Sequence, residues 1–316
     1  MKKGIISLGE ALIDFIPVDS DNLIYQKSPG GAPANVAVGL ARLGAQSAFL
    51  GKVGNDVLGT FLKETLEAYQ VNTEHMLLTD EARTGAVFVT LAANGERAFD
   101  FYIDPSADRF LTSDELNESL FISSKILHYG SISMISEPSR RATIKAVELA
   151  RKNGMIVSYD PNLRMSLWEN ENVARETILS MFDSADLIKI SEEELEFLTG
   201  EPTIEKGVEK LSEYNIPLLL VTVGSKGSYA FTGNVTARIE AMNVIAVDTT
   251  GAGDAFVSGV LYQLNEYEGD LSDLSENELI EIGKFASVSG GLAASTKGAM
   301  TALPTLQEVN DILLKA

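Results

Sequence analysis

SAFLGKVG (residues 47–54) is a short, largely apolar run, and VLGTFLKETLEAYQ (57–70), which follows two residues later, spaces its apolar side chains as an amphipathic helix does. The same pairing recurs along the chain. GIISLG (4–9) precedes ANVAVGLARLG (34–44), KILHYGSI (125–132) precedes SRRATIKAVELARKNG (139–154), and MIVSYD (155–160), DLIKI (186–190) and PLLLVTVG (217–224) continue the series. Strands that are apolar throughout and separated by amphipathic helices belong to a mostly parallel sheet covered on both faces. The expected fold is a three-layer α/β/α core in a single domain of 316 residues.

Two stretches break the alternation. Residues 11–28 and 84–104 read as strands joined by turns, with ANGE (93–96) as a hairpin tip and RAFDFY (97–102) alternating polar and apolar. They are expected to form a small β-sheet outside the main core, acting as a lid over a crevice at the C-terminal ends of the parallel strands. An ordinary antiparallel sheet edge fits the same residues.

Composition excludes several chemistries. With 25 basic and 45 acidic residues, 25 − 45 = −20, and long-range attraction to nucleic acid or anionic lipid is opposed. A polyanionic ligand must therefore be met locally. There is no cysteine, which removes disulfides, thiolate nucleophiles and Cys-ligated zinc. The two histidines, His75 and His128, sit beside apolar runs and read as structural. Glu10 and Asp14 interrupt what would otherwise be an apolar signal core, and no uncharged run approaches a membrane span, so a cytoplasmic protein is expected.

DTTGAGDAFVSG (248–259) concentrates small residues and one carboxylate between NVIAVDTT (243–250), which is strand-like, and a helical run bearing Phe256, Val257, Val260, Leu261 and Leu264. Free amides of Gly251, Ala252 and Gly253 at a helix start, with no side chains blocking approach, suit a phosphate. The segment is neither a dinucleotide fingerprint, since Phe256 stands where the third glycine belongs, nor a Walker A loop, since the two Gly-Lys pairs continue with Val53 and Phe285. Asp254 could be a helix cap, but a carboxylate beside a bound phosphoryl group can also accept the proton of an attacking hydroxyl. In SPGGAPANVAVGLARLG (28–44), Gly30 and Gly31 allow close approach to the backbone, and Asn35 offers a donor and an acceptor to a hydroxyl-rich molecule. Arg97, Arg164 and, less directly, Lys189 are candidates for the local positive charge.

GGAPANVAVGLARLG (30–44) and DTTGAGDAFVSG (248–259) together resemble the two signatures of the ribokinase-like, or PfkB, sugar kinases, and the resemblance runs over nearly the whole chain. Within that family GEALIDF (9–15), GERAFDFYIDPSAD (95–108), SYDPNLRMSLW (158–168) and KISEEELEFLTG (189–200) look most like fructokinases. The resemblance implies ATP-dependent phosphorylation of fructose to fructose 6-phosphate, with Asp254 as base and the 251–253 amides stabilising the transferring phosphoryl group. It implies that Asp14, Gly30, Gly31 and Asn35 hold the sugar, and that ATP lies along Thr222, Gly224, Gly227 and Gly298. Glu194 would organise magnesium through water, although Ser191 stands where the family has Asn. Asp248 and Thr250 match positions that bind a monovalent cation such as potassium in some members. A 2-keto-3-deoxygluconate kinase and a non-catalytic sugar or nucleotide sensor remain alternatives. The lid fits either a homodimer or a monomer.

Overall fold

The computed structural model describes residues 2–19, 21–91 and 97–315, with only the backbone of Leu91 and Arg97. Thirteen strands are present among them: β1 (Ile5–Leu8), β2 (Leu12–Pro17), β3 (Tyr25–Gly30), β4 (Ser47–Gly54), β5 (Met76–Thr79), β6 (Gly85–Leu91), β7 (Arg97–Phe101), β8 (Ile126–Gly130), β9 (Ile156–Asp160), β10 (Leu187–Ser191), β11 (Leu218–Thr222), β12 (Ser228–Phe231) and β13 (Thr236–Ile239). Nine of them form one sheet in the order β13-β12-β11-β10-β9-β8-β1-β4-β5. Pairing is parallel from β11 to β5, and antiparallel for β11–β12 and β12–β13.

Period-two side-chain alternation divides the core between the two faces of this sheet. Leu127, Tyr129, Leu219 and Val221 pack into one cluster with the helices at 139–152, 171–179 and 192–199, whereas Ile126, Leu218 and Leu220 pack into another with those at 32–42, 252–266 and 276–294. Each fully buried aliphatic side chain contributes about 1.5–3 kcal/mol relative to exposure, so both faces must be covered. All eight residues of β4 are buried, Lys52 among them, whose ammonium pairs with Glu115 at 2.6 Å. The helix that follows starts where Asp56 accepts hydrogen bonds from the amides of Leu58 and Gly59, and it buries Leu62 and Leu66 one turn apart.

β3-β2-β6-β7 form a separate four-stranded sheet, with β2–β6 parallel and the outer pairs antiparallel. The 11–28 and 84–104 stretches thus become a small sheet outside the main one; the ANGE tip lies outside the described residues. On its face turned from Asp14 and Val87, Phe88 stacks on Phe15 and meets Tyr25 and Tyr102 edge-on.

One expectation fails. Residues 243–250 form no strand; the amides of Val247 and Asp248 both donate to the Ala294 carbonyl at the end of a helix. The sheet already ends at β13, so this apolar segment has no strand partner, and Ile245 and Val247 are exposed. Apolar composition alone does not make a strand where no neighbour offers a ladder.

Candidate active site

Two hollows meet at one turn. A cleft of about 420 Å³ is lined by Glu10, Asp14, Gly31, Asn35, Asp160, Arg164, Lys189 and residues 249–251, 253 and 254. A second hollow, of about 440 Å³, is lined by Thr222, Gly224, Gly227, Met242, Val244 and Phe256, and shares only Thr249 and Gly253 with the first. Both lie at the carboxyl ends of parallel strands: Glu10 follows β1, Asp160 ends β9, and Thr222 ends β11. Ligands of open α/β sheets bind in such crevices.

The shared turn is built by glycine. Gly251 caps the helix Ala252–Glu266 with φ of 77°, a backbone that other residues rarely adopt, and Asp254 falls in the first helical turn. One of the three expected amides has an acceptor already, since Ala252 N–H donates to the Thr249 carbonyl at 3.2 Å. Those of Gly251 and Gly253 have no such acceptor among the described residues. Gly31 has φ of 101°, and a Cβ there would run into the Glu10 carbonyl. Only glycine lets this turn lie against the strand end.

Asn35 lies on the helix Ala32–Arg42 and donates from Nδ2 to Asp254 Oδ2 at 2.7 Å. Its Oδ1 is buried without a protein partner, which leaves an acceptor for a ligand hydroxyl. Asp14 stands beside Gly30, on which a Cβ would collide with its carboxylate. Leu12 and Asp14 on β2, Val87 on β6, and Phe99 and Phe101 on β7 reach the cleft from the small sheet. Their alternate spacing is the inward face of that sheet.

The electrostatics centre on Lys189. Its Nζ donates to Asp160 Oδ2 at 3.1 Å, with the two side chains 12% and 7% exposed. Burial pushes Asp254 up to about 6, opposed by the Asn35 hydrogen bond and reinforced by the Asp160 charge, with Lys189 and Arg164 acting to lower it. Burial raises Asp14 to about 7 against the pull of Arg164. Arg164 lines the cleft and donates to its neighbour's carbonyl, that of Leu163, at 3.1 Å. The Arg97 side chain lies outside the described residues.

Glu194 is not a solvated surface acid. It forms a capping box with Ser191: Ser191 N–H donates to Oε2 at 2.8 Å, Leu163 N–H to Oε1 at 2.7 Å, and Glu194 N–H to Ser191 Oγ at 3.1 Å. Serine in the expected Asn position is thus a helix N-cap. Thr222, Gly224 and Gly227 line the second hollow as expected, but Gly298 does not. Its N–H donates to Asp248 Oδ2 at 3.1 Å, and Thr250 N–H donates to Oδ1 at 3.0 Å, so these three residues brace the loop behind the turn. His128 is buried against Ser158 Oγ at 3.0 Å, and burial, aided by the Lys189 charge, holds it down at about 3. It is a neutral core residue.

Sequence reasoning passed over Glu10 and Asp160. Glu10 is buried in the cleft, accepts from Ala32 N–H at 3.1 Å, and burial raises it to about 8. In the native state it keeps a proton that the unfolded chain, with a pKa near 4.5, has lost. Its stabilisation is therefore complete below pH 4.5 and lost as pH rises through about 8. Glu10→Gln, which keeps the acceptor oxygen without the titration, is expected to gain stability relative to the parent by a few kcal/mol between pH 5 and 8. Urea unfolding of both proteins across that range checks it, and parallel curves would show that Glu10 ionises normally.

Among the described residues no helix is long and apolar enough to cross a membrane. The pfkB family carbohydrate kinase model matches residues 2–306. The chain is 49% identical over 320 aligned positions to the probable fructokinase-6, chloroplastic, of Arabidopsis thaliana (99% of this chain, 83% of the relative), and 44% identical to fructokinase-1 of Zea mays (99% and 98%). Among solved structures it is similar to fructokinase from Vibrio cholerae O395 in its fructose, ADP and calcium ion bound form, with a TM-score of 0.91 at 40% identity and 99% of each chain covered. Fructokinase with bound ATP from Xylella fastidiosa aligns with a TM-score of 0.93 at 33% identity, covering 100% and 99%. The family match over residues 2–306 and relatives 44–49% identical over 99% of the chain make it a member of the pfkB family of carbohydrate kinases.

Proposed function

We propose that this carbohydrate kinase transfers the γ-phosphoryl group of ATP to the terminal primary hydroxyl of fructose, giving fructose 6-phosphate. The observation that carries the reading is the meeting of the cleft and the second hollow at Thr249 and Gly253, with Asp254 on the cleft side. A sugar in the cleft and a nucleotide in the hollow would then present hydroxyl and phosphate to each other across the turn, in line for transfer.

Asp254 accepts the hydroxyl proton as the bond to phosphorus forms. The amides of Gly251 and Gly253, at a positive helix end, stabilise charge on the transferring group. Asn35 holds the Asp254 carboxylate and receives a sugar hydroxyl at Oδ1; Asp14 and the Gly30–Gly31 backbone hold others, and Arg164 with Arg97 supplies a cationic rim. Thr222, Gly224 and Gly227 hold the nucleotide, with Lys189 near the phosphates. The small sheet acts as the lid that keeps water from the phosphoryl group, so both sheets work as one kinase unit. Its aromatic face is the surface through which two copies would pair.

Among the described residues no cluster of three or more acidic or histidine side chains could hold a metal unaided. Magnesium fits this donor set as an ion that arrives on the nucleotide phosphates and keeps its waters, which Glu194 and Asp160 can accept. When bound it neutralises phosphate charge. Asp248 and Thr250 are the residues for a monovalent cation.

The test is ADP production by the purified protein with ATP and magnesium, offered fructose, 2-keto-3-deoxygluconate, ribose or no sugar. Fructose is expected to be turned over at least tenfold faster than the others. Preference for the acidic sugar would transfer the function to that kinase and make Arg164 a charge partner. Binding of sugar and ATP without turnover of any sugar would leave a sensor.

A further inference from the structure

A third hollow, of about 340 Å³, shares no lining residue with the cleft or the second hollow. It lies between the small sheet (Ile16 on β2, Gln26–Pro29 around the end of β3), the helix Val57–Ala68 and residues 297–301. Its walls carry two lysines, Lys27 and Lys297. In a chain of net charge −20, neither is in an ion pair among the described residues. Lys27 Nζ instead sits 3.6 Å from the centroid of the Phe61 ring.

The rest of the lining suits a polyol. Thr65 Oγ1 donates to the Phe61 carbonyl at 2.7 Å, which leaves its oxygen acceptor capacity only, and Ser28 adds a second hydroxyl to the lining. Phe61 and Tyr69 line it with aromatic rings, each with a cation over one face, Lys27 on Phe61 and Arg42 on Tyr69. Apart from the cation proposed at Asp248 and Thr250, the two ammonium groups in this hollow favour a compact dianion.

We propose that this hollow binds a small sugar phosphate, its phosphate held by Lys27 and Lys297 and its hydroxyls by Ser28 and Thr65, as a second site apart from the cleft. Asp248 in the wall accepts the amides of Thr250 and Gly298, and the Cα of Ala299 lies 3.3 Å from where a Cβ on Gly251 would stand. An occupant therefore touches the loop that backs the Gly251–Gly253 turn on one side and the small sheet on the other. It could couple the two, and any such coupling acts equally on both ligands.

Calorimetry on the full chain tests this, with fructose and ADP saturating and fructose 6-phosphate, glycerol 3-phosphate or inorganic phosphate as titrant. The expected result is one further sugar phosphate per chain, bound at least tenfold more weakly by Lys27→Gln/Lys297→Gln and retained by Lys27→Arg/Lys297→Arg. Absence of that binding event, or its loss in both double variants or in neither, overturns the proposal. Inorganic phosphate should bind at least tenfold more weakly than the esters; equal affinity overturns the assignment to a sugar ester. The readout is binding, so it stands apart from whether fructose is the phosphoryl acceptor.

Discussion

Asp254→Ala is expected to lower turnover about 10²- to 10⁴-fold, the scale for removal of a positioned base, while sugar and ATP binding persist. The carboxylate receives a hydrogen bond from Asn35 and lies one residue past the amide of Gly253, so it has both a fixed orientation and a place beside the Gly251–Gly253 turn. Burial raises it to about 6. A base must be ionised, so kcat/KM for the sugar should rise with pH through about 6 and level off above it. Asn35→Ala removes the largest influence that holds the value down, and the acid limb should move to higher pH. A folded Asp254→Ala protein with turnover within a few-fold of the parent would sink the base assignment, and an acid limb near 4 would show that the buried carboxylate is solvated in the working enzyme.

The sequence carried the layers because periodicity is a local record of burial. β4 and its following helix read correctly since every β4 side chain is buried and Leu62 and Leu66 share one helix face. The two glycine clusters were legible for a similar reason: Gly31 and Gly251 occupy backbone that only glycine adopts cheaply, and that need is printed in the residue type. Residues 243–250 misled because whether an apolar run pairs depends on a neighbour far along the chain. Glu10 and Asp160 were passed over for the same cause. A carboxylate beside a strand end has no local signature of being in a cleft until β10, β9, β8 and β1 are brought side by side, and only then does Asp160 meet Lys189 across 29 residues. Glu194 shows the converse, since S-x-x-E is a visible capping box, whereas the sequence reading weighed only a magnesium role and a solvated helix N-terminus there.

Lys189→Met is expected to destabilise the fold strongly. Among the described residues the ammonium is the one cation bonded to Asp160, and it also acts on Glu194 and Asp254, both of which burial has already raised. Removing one partner of a buried pair leaves an uncompensated charge and costs about 3–5 kcal/mol. Lys189→Met/Asp160→Leu should recover part of the loss, because an apolar replacement of both partners avoids desolvating either. The pH dependence has a definite sign. Glu194 and Asp254 have native values above their unfolded ones, and loss of the nearby cation raises them further, so the native state of the variant takes up protons more readily than that of the parent. The stability deficit should therefore shrink as pH falls from 8 toward 5, while the acid limb of kcat/KM moves upward. Urea midpoints for the parent, the single and the double variant across that range measure both effects. A single variant as stable as the parent at pH 8 would mean that water already solvates Asp160, and Lys189 would then be free to reach the phosphates without its present partner.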